Sequence, residues 1–223
     1  MFVKMLVIVD IHKADSALKR TIDYIDKYKP DLLLIAGDIT TFGPLEYAEE
    51  FLAKLLDIRI LALPGNCDPR EILAVIDKSK AINLHGKKEN INGIMFIGLG
   101  GSNATPFNTP FELSEDEIFQ SLDPIMEPGA ILVLHFPAKG HLDLASRNVH
   151  TGSISALLII EKYKPSIVIS GHIHETRGIE TDENNIIYLN PGPLQKGYAA
   201  IVDITPSSDK RYECEIQLLP EDN

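Results

Sequence analysis

Cysteine is scarce in this sequence. It has two in 223 residues, Cys67 and Cys214, far apart and without a CxxC spacing. The pattern offers no thiolate metal motif, neither requires nor excludes a disulfide, and fits a reducing cytosolic compartment. Positive charge is also in short supply, with 21 Lys and Arg against 32 Asp and Glu and a formal net charge of −11. No basic run is long enough to form a stripe, which argues against a polymeric DNA or RNA partner. Long apolar runs are missing too. The opening "MFVKMLVIVD" is interrupted by Lys4 and ended by Asp10. It is too short for a membrane span and lacks a signal-peptide cleavage region, so no membrane association is expected and it reads as a first strand. Repeats, low-complexity tracts and linkers are absent, and residues 1–223 are expected to form a single domain. Hydrophobic content of 44% and charged content of 24% suit a globular protein with a substantial core. None of these counts constrains the oligomeric state.

What is present is a series of strand-length apolar runs separated by helical periods. "FVKMLVIV" (2–9) precedes a helix at about 14–29, whose Ala17, Leu18, Ile22 and Ile25 share one face and which Pro30 closes. "DLLLIAGD" (31–38) has the near-continuous apolar character of a strand covered on both faces. A helix at 44–56, the strand "IRILALPGN" (58–66) and a short helix near 69–78 complete a βαβαβ pattern, which implies parallel strands. Asn92-Gly93 marks a hairpin leading into "IMFIGLG" (94–100). "AILVLHF" (130–136), a helix at 153–163 and "SIVISGH" (166–172) follow, separated by long polar loops. The C-terminal runs "NIIYLNPGP", "YAAIVDI" and "RYECEIQLL" alternate and carry tight turns, so antiparallel pairing is expected there. The fold class is α/β, with two sheets packed face to face and helices outside.

Chemistry-bearing residues stand just past the apolar runs: Asp10 and His12, Asp38, Asn66, His135, then His172 and His174. Ligands of open α/β sheets collect beyond the carboxyl ends of strands, so these seven side chains are expected to converge. Imidazole and carboxylate without thiolate suit Mn, Fe, Zn or Ni. Seven donors exceed the needs of one open catalytic ion and suit two, with Asp38 as the natural bridge. Two ions about 3.5–4 Å apart clamp the attacking and leaving oxygens of an in-line displacement and hold an ionised water at neutral pH. Two carboxylates and two divalent ions leave the site near +2, attractive to a small phosphate-bearing substrate. His172 and His174 are expected to alternate in direction as strand-end residues, each serving a different ion.

The ordered set Asp10-x-His12, Gly37-Asp38, Gly65-Asn66, His135 and Gly171-His172-x-His174 resembles the calcineurin-like metallophosphoesterases. The resemblance implies a four-layer α/β/β/α sandwich of two mixed sheets flanked by helices. It implies that Asp10, His12, Asp38 and His174 hold one divalent ion, manganese above all, while Asp38, Asn66, His135 and His172 hold the other. It also implies a phosphoric ester hydrolase, and the cysteine pattern places it in the cytoplasm. Many members carry a histidine after the GN asparagine, where this chain has Cys67 in "GNCD", as some bacterial and archaeal phosphodiesterases of the family do. A thiol with a pKa of about 8.5 is a poor general acid at neutral pH. Asn66 and Cys67 are the catalytic candidates, Cys67 being alternatively a small residue packed under the loop. A small phosphodiester is the expected substrate. The alternatives are a phosphomonoesterase of the same fold and a protein-binding scaffold with vestigial catalysis. "GDITTFG" and "GNCD" do not match the protein serine/threonine phosphatases of the family.

Further candidates lie outside this set. "GGSNATPF" (100–107) is expected to overlie the site, with Asn103 as a substrate contact. His141 and His150 could line a substrate pocket or simply sit in a loop, Asp68 could support the ligands, and Asn190 of "NPGP" could orient a ligand histidine. His85 is remote and carries no role.

Overall fold

Strand β1 (Val3–Ile8) has no solvent face: Val3, Met5 and Val7 enter one apolar cluster, and Leu6 and Ile8 another. Strand β2 (Leu32–Ala36) divides the same way, Leu32 and Leu34 opposite Leu33 and Ile35. Side chains of successive strand residues point to opposite faces, so a run that is apolar throughout requires a layer on each side. The computed structural model describes residues 2–55, 57–146, 148–207 and 211–220. Leu56 of the helix expected over 44–56, and Arg147 of a loop, lie outside them.

Between these strands run α1 (Ala17–Tyr28), α2 (Leu45–Ala53) and α3 (Ile72–Lys78), with β3 (Arg59–Leu63) and β4 (Ile82–Asn83). Helix α1 begins three residues later than its periodicity suggests, because Ala14–Ser16 form a turn closed by the Ala17 N–H on the Ala14 carbonyl at 2.9 Å. The second half contains β5 (Lys87–Ile91) and β6 (Ile94–Leu99), the short pair β7 (Ser102–Asn103) and β8 (Glu112–Leu113), α4 (Glu115–Leu122) and β9 (Ile131–Leu134). A small ribbon, β10 (Leu144–Ala145) with β11 (Val149–His150), precedes α5 (Ile154–Tyr163) and β12 (Ile167–Ile169). The chain ends through β13 (Gly178–Thr181), β14 (Ile187–Asn190), β15 (Ala199–Pro206) and β16 (Tyr212–Leu219).

Among the described residues these strands form two six-stranded mixed sheets, ordered β16-β15-β1-β2-β3-β4 and β13-β14-β12-β9-β6-β5. Strands β1 to β4 run parallel, as do β6, β9, β12 and β14. The β5–β6 hairpin turns at Asn92 (φ 55°) and Gly93 (φ 84°), the paired positive φ of a type I′ turn. The C-terminal expectation holds for β15 and β16, which are antiparallel, and for β13 with β14. It fails for β14, which also pairs parallel to β12, because the chain runs back along β13 at the edge before β14 enters between β13 and β12.

The inner faces meet in one cluster, where Val3, Met5 and Leu34 face Phe96, Val133 and Ile169. Helices α1–α3 cover the outer face of the first sheet, and α4 and α5 that of the second, completing the α/β/β/α sandwich. Phe96 is fully buried between the sheets. Its replacement by alanine is expected to cost about 3–5 kcal/mol, the range for emptying a buried aromatic site, measurable as a lowered urea midpoint.

Candidate metal centre

Strands β1, β2, β3, β9 and β12 all end towards one edge, and the expected ligands follow their last residues. The backbone ties those ends together. The Asp10 N–H donates to the Gly37 carbonyl at 3.1 Å, and the N–H groups of Ile11 and His12 both donate to the Asp38 carbonyl at 2.9 Å. From the second sheet, the Gly171 N–H donates to the His135 carbonyl at 2.9 Å. Asp10 (φ 52°), His12 (φ 48°), Asp38 (φ 51°) and His172 (φ 66°) adopt left-handed backbone that non-glycine residues rarely occupy. Such conformations persist only where the surroundings impose them, and they concentrate at functional sites.

The glycines of the motifs have a steric cause. A Cβ on Gly65 would run into the Asp38 carboxylate and backbone nitrogen, and one on Gly171 would lie 2.9 Å from the Asp10 carboxylate. On Gly37 (φ 101°) it would strike the His135 ring.

Asp38 is central. Its Oδ2 lies 3.4 Å from His135 Nε2 and 3.6 Å from His12 Nε2, while Oδ1 accepts the Cys67 N–H at 2.7 Å. One oxygen therefore faces both histidines. Asp10 Oδ1 lies 3.6 Å from His174 Nε2, 3.9 Å from His135 Nε2 and 4.0 Å from His12 Nε2. Asn66 Oδ1 is 3.1 Å from His135 Nε2, and the His135 and His172 rings meet edge-on with centroids 5.4 Å apart. Three donor groups close enough to share an ion overlap here: Asp10-His12-His174, Asp10-Asp38-His135 and His12-Asp38-Cys67. All seven expected ligand residues are thus brought together, Asp10, Asp38, Asn66 and His135 buried and the other three histidines partly so, and this set of imidazoles, carboxylates and one amide suits divalent ions.

His172 and His174 do separate, but not by strand alternation. Strand β12 stops at Ile169, and His174 opens a short 3-10 turn, His174–Thr176. The positive φ of His172 turns its ring towards His135, while His174 Nε2 lies 3.4 Å from His12 Nε2. The loop is braced by buried Asn190. Its Nδ2 donates to the Ile173 carbonyl at 2.9 Å and its Oδ1 accepts the Gly192 N–H at 2.9 Å. Asn190 thus holds the backbone between the two histidines rather than either ring.

Outer hydrogen bonds orient the rings, as metal-ligating histidines require. His135 Nδ1 lies 2.8 Å from the Ala36 carbonyl, and so donates there and aims Nε2 at Asp38. Thr41 Oγ1, which carries no motif in the sequence, lies 3.3 Å from His12 Nδ1. Burial opposes charge on His135, but the Asp38 carboxylate outweighs it, with help from Asp10 and the Ala36 carbonyl, and the pKa rises to about 9. Burial likewise opposes the Asp38 carboxylate, yet His135 and His12 hold it below the usual range. Burial lowers His172 to about 4 and also lowers His12. His174 is raised by its contact with Asp10.

Buried Asp68 accepts from Ile39 N (3.1 Å), Thr40 N (2.7 Å), Thr40 Oγ1 (2.9 Å) and Gly65 N (2.8 Å). It staples the Asp38 loop to the Asn66 loop, and burial together with the Asp38 charge raises its pKa to about 6. Asp68→Asn turns an amide NH2 against these donors. A loss of about 1–3 kcal/mol in urea denaturation is expected, with metal affinity about 10–100-fold weaker by calorimetry. Burial pushes the Cys67 thiol up, the Asp38 charge adds to it, and Asn66 Nδ2 lies 3.6 Å from its sulfur.

The model of the calcineurin-like phosphoesterases matches residues 3–176. The chain belongs to this family. Two relatives extend across most of its length. It is 37% identical over 201 residues to the uncharacterised protein MJ1162 of Methanocaldococcus jannaschii, covering 86% of this chain and 89% of that one. It is 28% identical over 209 residues to a probable glycerophosphodiester phosphodiesterase GpdQ of Arcobacter nitrofigilis, covering 81% and 69%. The crystal structure of TT1561 of Thermus thermophilus shares the fold, with a TM-score of 0.71, 15% identity and coverage of 96% and 99%. Membership of the calcineurin-like family supports a phosphoric ester hydrolase that binds divalent metal.

As in a phosphoesterase that must admit its ester, a cleft of about 590 Å³ opens beside the centre, with His172 in its wall. Asn103, Phe107, Ala145, Val149, Thr151 and Glu175 line it further. Asn103 is at the cleft as expected, but its Nδ2 donates to the Thr151 carbonyl at 3.0 Å and so also joins two walls. His141 and His150 are not among the lining residues. His141 stacks on Tyr188 at 3.9 Å and lies 2.8 Å from Glu180, and His150 lies 2.6 Å from Asp143. His85 packs against Phe111, outside the cluster. Among the described residues no helix is long and apolar enough to cross a membrane.

Proposed function

We propose that this protein is a dimetal phosphodiesterase of the cytoplasm, acting as one domain on a small phosphate ester. The observation that carries the reading is the position of Asp38 Oδ2, within 3.6 Å of one histidine group and 3.4 Å of the other. Asp10, His12, Asp38 and His174 would hold one ion, and Asp38, Asn66, His135 and His172 the second, manganese being the expected metal. Two such ions supply Lewis acidity and a nucleophile ionised at neutral pH.

The chain's own groups prepare that chemistry. The Ala36 carbonyl fixes the His135 tautomer, Thr41 steadies the His12 ring, and the Asp68 staple keeps Asp38 and Asn66 in register. The Cys67 N–H neutralises the Asp38 oxygen turned away from the histidines. The Cys67 thiol, pushed up by burial and by Asp38, is a poor proton donor to a leaving oxygen. Esters whose leaving group departs without protonation are therefore favoured. The Arcobacter relative is a probable glycerophosphodiester phosphodiesterase, which supports a diester as the substrate class.

The test uses protein stripped with a chelator and reloaded with Mn²⁺, assayed on bis(p-nitrophenyl) phosphate and p-nitrophenyl phosphate. Metal-dependent diester cleavage, faster than monoester cleavage, is expected. Equal rates would overturn the diester preference, and no turnover with metal bound would overturn the enzyme.

A further inference from the structure

The cleft beside His172 has apolar walls that no part of the described chain covers. Phe107 is 80% exposed and Val149 53% exposed, although both line a concavity with Ala145 and Ile173. Exposed apolar side chains scattered singly over a surface need no explanation, but a concave group next to a cluster of polar donors does. The volume of about 590 Å³ falls within the range of small-molecule sites.

These walls are also held in place before anything enters. Glu112 Oε1 accepts from Thr105 Oγ1 at 2.5 Å and from Thr109 N and Oγ1 at 2.8 Å, which closes the loop carrying Phe107. The Phe107 N–H donates to Thr105 Oγ1 at 3.1 Å. Asn103 ties this loop to Thr151 of the opposite wall. That wall in turn rests on the histidine turn, through Ser146 Oγ on Glu175 Oε1 at 3.1 Å and Thr176 Oγ1 on the Leu142 carbonyl at 2.6 Å. A ligand that fits need not order the loops first, which lowers the entropic cost of binding.

We propose that this cleft is the specificity site for one organic arm of the ester, and that the arm is an apolar group of the size of an aromatic ring. The inference rests on the phosphoesterase reading above, since the phosphoryl group would lie at the histidines and the arm would extend from His172 between Phe107 and Val149. Ring burial against these two side chains supplies affinity without touching the metal ligands. Phe107 and Val149 are thus specificity residues, and neither is part of the catalytic set.

The test is calorimetric binding of phenylphosphonate and methylphosphonate to the full chain loaded with Mn²⁺. The two probes carry the same head group and differ only in the arm. Phenylphosphonate is expected to bind at least about tenfold more tightly, the effect of burying a ring against apolar walls. Phe107→Ala, a change at an exposed position, is expected to remove most of that advantage while leaving methylphosphonate unchanged. Val149→Ser, which removes apolar surface without adding charge, is expected to act in the same sense. Equal affinity of the two probes, or an advantage that survives both substitutions, overturns the inference, as does failure of either probe to bind. A change in sedimentation with Phe107→Ala, with the probes equal, would assign the face to a second copy and also overturn it. Turnover of bis(p-nitrophenyl) phosphate is measured in parallel. Its absence defeats the phosphoesterase reading, whereas turnover with equal probe affinities defeats the cleft assignment alone.

Discussion

Asp38→Ala is expected to lower turnover of an aryl phosphodiester about 10³-fold or more, with a smaller effect on the fold. Asp38 is the side chain that faces both histidine groups, so its loss removes a donor from each proposed ion at once. Losing about 4 kcal/mol of transition-state charge stabilisation corresponds to that factor. The backbone arrangement should persist, because the Asp38 carbonyl and not its carboxylate accepts from Ile11 and His12. Steady-state kinetics with saturating Mn²⁺, beside a urea titration of the metal-free protein, separates the two effects. A variant that keeps wild-type turnover would remove Asp38 from the centre. A variant that simply unfolds would mean that the Cys67 N–H on Oδ1 matters more to stability than to chemistry.

Metal affinity is expected to rise steeply with pH, by about 50-fold between pH 7 and pH 9. The metal-free His135 has a pKa raised to about 9, and both of its ring nitrogens face acceptors, the Ala36 carbonyl on one side and Asn66 Oδ1 on the other. It is therefore charged at pH 7 and must release a proton from Nε2 to coordinate. Release of one proton costs a factor of about ten for each pH unit below the pKa. The same shift acts with the opposite sign on the stability of the metal-free protein. A histidine whose folded pKa is raised stabilises fully below about 6.5, and that contribution is lost as the pH climbs through about 9. Calorimetric titration of Mn²⁺ in buffers of different ionisation enthalpy counts the proton directly. No proton release at pH 7 would place His135 outside the coordination set.

How much of this was legible in the sequence follows from the range of the interactions concerned. Strands such as Leu32–Ala36 are apolar at every position because they are buried on both faces, so the doubly covered sheets could be read from local pattern. Asp10, Asp38, Asn66 and His135 were legible for the same reason: each closely follows such a run. The parallel pairing of β14 with β12 was not, because the alternating "NIIYLNPGP" carries the same signal for either partner direction. Strand alternation does not explain the separation of His172 from His174, since nothing local marks where β12 ends or that His172 takes a φ of 66°. Thr41 carries no sequence signal because its role depends on a contact with His12, 29 residues away. Asn103 was placed near the site, but its bond to Thr151 depends on two loops meeting, which no periodicity encodes. Motif glycines are the opposite case. Gly65 and Gly171 are needed because the Asp38 and Asp10 carboxylates pass where a Cβ would be, so the motif spelling already contained the contact.

Electron paramagnetic resonance of the protein titrated with Mn²⁺ tests whether one carboxylate joins two divalent ions. Two equivalents bound per chain are expected, with the spectrum of a spin-coupled pair replacing the six-line signal of isolated Mn²⁺, and with the coupling lost in Asp38→Ala. Saturation at one equivalent, or two equivalents that keep the isolated six-line spectrum, would contradict it.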